Sequence, residues 1–328
     1  MKILIRLPNW LGDMVMSTAF VEAVNQCYPN AEIGLIAKKG IHPLLDFFPK
    51  HANRYVFSKQ EFKGLWGAWK FGRSIAKTEK YDVYFSLPDS FSTALMGFAS
   101  GAKHRVGYKN SIRTLLLTHA FNKKKNGYHV EAFLELLSKY AQKPIPETKV
   151  ILKTAPILLR ENRIILNINS EAASRKWPLS KAISRITALR KALTEELILV
   201  GSPAEKAFVD QVYEALPDKK GITNLAGKSP LPLLIELMGK SKLIISSESG
   251  PAQIGNAVGT PTLVTFGASN EKIGMPYPDT SIIGIRYGQL PCEPCLKNTC
   301  KLYQEPECQM RLDDAVLVNK AIEILNRV

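Results

Sequence analysis

The chain has no run of about 18 apolar residues, the length a membrane-crossing helix requires. Its amino end, MKILIRLPNW, reads as a strand and lacks the long apolar stretch of a secretory leader, so a soluble cytosolic protein is expected. Nor is there a compact array interleaving aromatic with basic residues, or a helix that reads as a recognition helix, which sets nucleic acid aside as a partner. Cysteine is scarce. Of five, four crowd between Cys292 and Cys308, and in a reducing compartment they are expected as free thiols or metal ligands, not as a disulfide framework.

What is present is a chain of 328 residues, 45% hydrophobic and 22% charged, enough for two ordinary cores. The net charge of +15 is uneven: residues 1–155 hold 23 Lys and Arg against 11 Asp and Glu, a net of +12, and the remainder nets +3. Such a field draws anionic partners, among them acidic lipid head groups and phosphorylated glycans. The run Lys123 to Lys125 is also consistent with a solvated loop before Asn126-Gly127.

Strand and helix signals alternate along the chain. Lys2–Leu7 is a β-type run, broken by Pro8-Asn9 before a helical pattern from about Leu11 to Cys27, with Cys27 on its apolar face. Strands are expected over Ala31–Ala37, Arg54–Phe57, Tyr81–Leu87 and His104–Val106, with helices near Ile41–Phe47, Leu65–Lys77, Phe91–Phe98 and Tyr128–Ala141. The proline-rich stretch 142–162 marks a boundary, and the alternation then restarts: strand Arg163–Asn167, helix Leu179–Leu193, strand Glu196–Val200, helices Pro203–Leu216 and Leu231–Met238, and a last helix Leu312–Leu325 that could pack on either domain. Repeated βα units imply an α/β protein with two doubly wound, Rossmann-like domains, 1–155 and 156–328, binding ligand in a cleft at the carboxyl ends of their strands. The second would carry the Cys-rich segment 292–308 and the last helix.

Four clusters and one long stretch carry candidate chemistry. Lys242–Gly267 reads as strand, turn, helix, strand, with Glu248, Ser249 and Gly250 at the helix start; Glu248 either caps that helix or accepts hydrogen bonds from sugar hydroxyls. Gly12-Asp13 falls at the first strand-to-helix turn, where an aspartate serves as a helix cap or as a general base. In NSEAASRKWP, small residues followed by Arg175 and Lys176 suit a phosphate-binding loop, with a solvent-facing loop anchored by Trp177 as the other reading. In GSPAE, Glu205 could meet ribose hydroxyls or merely occupy a helix's first turn. Cys292, Cys295, Cys300 and Cys308 could surround one structural zinc, although a zinc ribbon usually has two CxxC knuckles and only one is present.

LPNWLGDMVMSTAF, YHVEAFLELL, ASRKWP, GSPAEK and SSESGPAQIGNAVGTPTLVTFG occur in an order and spacing that resembles the ADP-heptose:lipopolysaccharide heptosyltransferases, glycosyltransferase family 9, over essentially the whole chain. The resemblance implies a GT-B fold with an acceptor-binding first domain and a nucleotide-sugar-binding second domain. It also implies inversion at the anomeric carbon with no catalytic metal or other cofactor. By the same resemblance Asp13 is the general base, Arg175 or Lys176 steadies the leaving ADP, Glu205 faces the ribose, and Glu248, Ser249, Gly250 and Gln253 form the donor turn. The chain departs from the common family pattern in having Glu248 for aspartate, Ala252 for methionine and Gln253 for histidine, changes that bear on the sugar more than on the nucleotide. The implied partners are an ADP-sugar and a lipid-anchored, phosphorylated core oligosaccharide at the cytosolic face of the inner membrane, with peripheral membrane contact and no nucleic acid. The same fold using another nucleotide sugar, and a non-catalytic nucleotide or glycan binder in which Asp13 is only a cap, remain alternatives.

Overall fold

A computed structural model describes residues 1–124, 127–157, 159–275 and 282–327; Lys125 therefore lies outside the described residues. The chain divides into two compact units, Met1–Lys153 and Thr154–Val328.

In the first unit six parallel strands form one sheet: β1 (Lys2–Arg6), β2 (Glu32–Lys38), β3 (Asn53–Phe57), β4 (Val83–Ser86), β5 (His104–Tyr108) and β6 (His119–Phe121), in the order β3-β2-β1-β4-β5-β6. Helices α1 (Leu11–Met16), α2 (Thr18–Cys27), α3 (Gly64–Thr78), α4 (Phe91–Ala99) and α5 (His129–Ala141) connect or follow the strands. Strands flanked by helices read as continuous apolar runs, and Ile3, Leu4 and Ile5 are accordingly fully buried. The helix expected over Leu11–Cys27 is two helices. Ser17 and Thr18 interrupt it: their hydroxyls donate to the carbonyls of Met14 (2.7 Å) and Val15 (2.8 Å), a back-bonding that bends helices. The expected helix near Ile41–Phe47 is a 3-10 segment, His42–Phe47. Cys27 ends α2 half-buried instead of in the core. Val150–Leu152 adds no strand, yet Val150 and Leu152 are buried, and the Ile151 N–H donates to the Thr18 hydroxyl at 3.2 Å.

The second unit repeats the pattern with β7 (Glu161–Asn167), β8 (Glu196–Leu199), β9 (Ile222–Asn224), β10 (Ser241–Ser247), β11 (Thr262–Phe266) and β12 (Ile282–Arg286), in the order β12-β11-β10-β7-β8-β9. Its helices are α6 (Leu179–Ala192), α7 (Lys206–Glu214), α8 (Leu231–Gly239), α9 (Gly250–Ala257), the short α10 (Glu271–Gly274) and α11 (Glu307–Met310), and α12 (Asp314–Leu325). Helix α12 packs on α6 and β10 of its own unit, burying Leu317, Ala321 and Ile324 in a core with Ile186, Leu189 and Leu243.

Both sheets therefore run 3-2-1-4-5-6 in their own strand order, the doubly wound arrangement in which connections leave the first and fourth strands in opposite directions. That reversal opens a crevice beyond their carboxyl ends, between β1 and β4 in one unit and between β7 and β10 in the other. The two units together are the GT-B fold. No helix among the described residues is long and apolar enough to cross a membrane.

Candidate functional site

At the switch point of the first unit, Pro8 to Trp10 leave the end of β1 and Asp13 follows in the first turn of α1. Its side chain caps nothing: the residue before α1 is Trp10, and no side-chain hydrogen bond caps the helix. Asp13 Oδ1 stands 3.7 Å from Nδ1 of His129, at the start of α5. Burial pushes the Asp13 carboxyl above its ordinary value, while His129 and Lys123 pull it partly back. Lys123 is not a merely solvated loop residue, since it pairs with Asp89 at 3.1 Å and lies 5.7 Å from the Tyr108 ring centre. Asp89, beyond the end of β4, also meets the buried Arg113 guanidinium at 3.4 Å, and Arg113 donates to the Ser86 hydroxyl at 3.0 Å. A partly buried carboxylate thus lies beside His129 and within the field of Lys123, beyond the carboxyl end of β1. His129 and Arg113 escaped the sequence reading, and Lys123 entered it only as part of a basic run. Of the three, only His129 lay inside a quoted motif, as the second residue of YHVEAFLELL.

At the switch point of the second unit, two asparagines stitch the turns together. The Asn167 amide donates to the hydroxyls of Ser249 (2.7 Å) and Ser246 (3.0 Å), tying β7 to the turn after β10. Asn169 donates to the Val200 carbonyl at 2.9 Å, tying the same loop to the end of β8. The segment from Asn169 to Pro178 is anchored by Trp177, which is fully buried and donates through Nε1 to the Thr265 hydroxyl at 2.7 Å. Its two cations part company. Arg175 is electrostatically coupled to Glu248, whereas Lys176 rests its ammonium 3.8 Å from the centre of the Phe208 ring on α7. Glu205 folds back on its own turn, its carboxylate accepting the Ser202 N–H at 2.7 Å immediately before α7.

Of the two readings of Glu248, a helix cap or an acceptor for sugar hydroxyls, the cap does not hold. Ser249 precedes α9 and no side chain caps that helix. The Glu248 carboxylate reaches instead to the end of β11, where it accepts the backbone N–H groups of Gly267 (2.8 Å), Ala268 (2.9 Å) and Ser269 (2.7 Å). Burial raises its pKa; the Ser269 hydroxyl, the N–H groups of Gly267 and Ser269, and Arg175 oppose the rise. Gly250 opens α9, and Gln253 is buried within it.

The Cys-rich segment buttresses these loops. Ser174 donates its N–H to the Asn298 carbonyl (3.1 Å) and its hydroxyl to that of Lys297, and Leu296 donates to the Ala268 carbonyl at 2.8 Å. Gly267 has no side chain for a reason: a Cβ there would lie 2.7 Å from the sulfur of the buried Cys308. Cys292, Cys295, Cys300 and Cys308 line one small cavity of about 20 Å³, and all are free thiols. Among the described residues no three His, Cys, Asp or Glu side chains are grouped to hold a metal ion, so the geometry gives the zinc reading no support beyond the shared cavity. What the segment visibly does is pack against the loop after β7 and the loop after β11.

The chain is 26% identical over 316 residues to lipooligosaccharide heptosyltransferase 2 of Haemophilus influenzae, covering 88% of this chain and 90% of that one. It is 26% identical over 310 residues to lipopolysaccharide heptosyltransferase 2 of Escherichia coli, covering 84% and 85%. The solved structure of E. coli ADP-heptose lps heptosyltransferase II superposes with a TM-score of 0.83 at 22% identity, over 100% of this chain and 99% of that one. Residues 68–304, more than two thirds of the sequence, match the sequence model of glycosyltransferase family 9 (heptosyltransferase), and the chain belongs to that family.

Proposed function

We propose that this glycosyltransferase moves a heptose from ADP-heptose onto a lipopolysaccharide inner-core acceptor, with inversion at the anomeric carbon. The first unit takes the acceptor and the second the nucleotide sugar. Asp13 removes the proton of the acceptor hydroxyl; that oxygen attacks the anomeric carbon; the bond from that carbon to the β-phosphate oxygen breaks, and its electron pair leaves on ADP. Arg175, with Lys176 beside it, stabilises the charge that develops on the leaving diphosphate. Glu205 meets the ribose. Ser249, Gly250 and Gln253 shape the donor turn, which Glu248 holds in place. Protons and charge in this scheme are handled by side chains alone, so it calls on no cofactor.

The observation that carries the reading is Asp13: a carboxylate at the switch point of the first unit, free of any capping duty, its basicity raised by burial, a rise that His129 and Lys123 only partly offset. The net charge of +12 on residues 1–155 suits a phosphorylated, lipid-anchored acceptor and peripheral attachment at the cytosolic face of the inner membrane. The test is direct. Purified protein incubated with ADP-heptose and a core acceptor should release ADP and add one heptose to the acceptor by mass. Failure to do so, together with a thermal shift by UDP- or GDP-sugars and none by ADP compounds, would replace the donor assignment.

A further inference from the structure

Helix α3 carries an outward face that neither the fold nor the reaction accounts for. Its inward face is fixed. Ala68, Phe71 and Ile75 are buried, Phe71 meets Phe57 and Phe62 edge-on at 5.1 Å each, and Gly67 and Gly72 let the helix touch the Phe62 backbone and the Met96 carbonyl. A Cβ on Gly72 would stand 2.3 Å from that carbonyl oxygen, so the helix cannot roll. Held this way, it turns Leu65 (51% exposed) and Trp66 (62% exposed) to solvent, with Lys63, Lys70, Arg73 and Lys77.

The two tryptophans of this face are stacked on each other, ring centres 4.6 Å apart and planes within 7°. Lys70 and Arg73 lie over them, 5.7 Å from the Trp66 ring and 6.0 Å from the Trp69 ring. No side chain of Lys63, Lys70, Arg73 or Lys77 forms an ion pair or hydrogen bond among the described residues. The one carboxylate between Lys59 and Thr78 is Glu61, and it is engaged by Lys39 at 2.8 Å. The elements packed next in line, α4 and the 3-10 segment Ser111–Leu116, expose Phe98, Ile112 and Leu115.

We infer that this face of α3 docks the enzyme on the surface of a bilayer bearing anionic phospholipid. The inference rests on the peripheral-membrane reading above and assigns its surface. Indoles, apolar at one end and able to donate at the other, settle at the boundary between head groups and acyl chains. Lysine and arginine lay their alkyl stems along that boundary with their charges among the phosphates. A second copy of the chain fits poorly, because a two-fold contact would set the four cations against their own copies with no carboxylate between them. An anionic plane is the complementary partner.

The experiment is cosedimentation of the full-length protein with sucrose-loaded vesicles, either phosphatidylethanolamine with phosphatidylglycerol or phosphatidylcholine alone. Wild type should pellet with the anionic vesicles and not with the neutral ones, and added salt should weaken the binding. The Trp66→Ser/Trp69→Ser and Lys70→Gln/Arg73→Gln variants should each lose about tenfold in partitioning, at unchanged melting temperature and ADP affinity. If wild type binds and both variants bind as well, docking lies elsewhere and the assignment falls while membrane association stands. If wild type ignores anionic vesicles, membrane association itself falls. A dimer in sedimentation velocity that the tryptophan variant dissociates would make the occupant a second copy and overturn the proposal.

Discussion

Asp13 and His129 face each other at 3.7 Å although they are distant in sequence, one from the turn after β1 and the other from the opening of α5. The sheet order produces the meeting. Asp13 leaves the strand at the switch point, and α5 follows β6 and packs against α1 and α2. The histidine is one of the two groups that oppose the rise burial causes in the carboxyl's pKa.

Asp13→Asn should lower turnover by about two to four orders of magnitude, the usual worth of a general base, with ADP affinity little changed. The same variant should be more stable than wild type near neutral pH. The native state raises the pKa of Asp13, so ionisation costs more in the folded chain than in the unfolded one. That cost is present in full above the native pKa, shrinks as the pH falls through it, and is absent below the unfolded value. Thermal melts across pH check the sign: a stabilising effect that grows on acidification would contradict it.

The acid limb of activity should follow. A base must be ionised, so kcat/KM should fall as the pH drops through a carboxyl that titrates above the ordinary aspartate range. His129→Gln removes a group that pulls this carboxyl down, leaving Lys123 as the remaining opposing charge. The limb should therefore move to higher pH in that variant. An unshifted profile would detach His129 from the base.

Sequence periodicity laid out the two βαβ halves because their central strands are continuous apolar runs, such as Ile3–Ile5 and Leu243–Ile245, that only a buried parallel sheet accommodates. It missed β6, β9 and β12, edge or near-edge strands with little burial to impose a pattern, two of them three residues long. The loops after β1, β7, β8 and β10 were legible because glycine, proline and small hydroxylated residues punctuate them. Their partners were not. Nothing local to His129 tells that it meets Asp13, and nothing near Cys308 tells that its sulfur lies against Gly267. Contacts of that kind are set by strand order, which a single sequence expresses only through the fold.

Arg175 and Lys176 should separate in binding. Arg175 is coupled to Glu248 at the donor turn, with its buried Nε unpartnered, whereas Lys176 is settled on the Phe208 ring. A guanidinium can meet a diphosphate through two parallel N–H bonds, which an ammonium cannot copy. Arg175→Ala should weaken ADP about 10- to 100-fold by calorimetry, the scale of a lost charged hydrogen bond, and Lys176→Ala by less. The reverse ranking would give the phosphates to Lys176.

Glu248→Gln is the sharpest probe of the proposed donor turn. Both carboxylate oxygens of Glu248 accept backbone N–H groups, two on Oε1 and one on Oε2. A glutamine keeps one acceptor oxygen and turns the other position into a donor, so at least one of the three buried N–H groups would face an N–H. Leaving a buried donor unpaired costs about 1–3 kcal/mol. The variant should melt lower by that equivalent and should also bind ADP less well, because the strand end it holds adjoins the loop bearing Arg175 through Leu296, Lys297 and Asn298. Glu248→Asp, one methylene shorter, should fail in the same direction, since the carboxylate would fall short of Gly267–Ser269. Unchanged melting in both variants would mean that the three hydrogen bonds do not order the loop, and the position would then return to being a direct sugar contact.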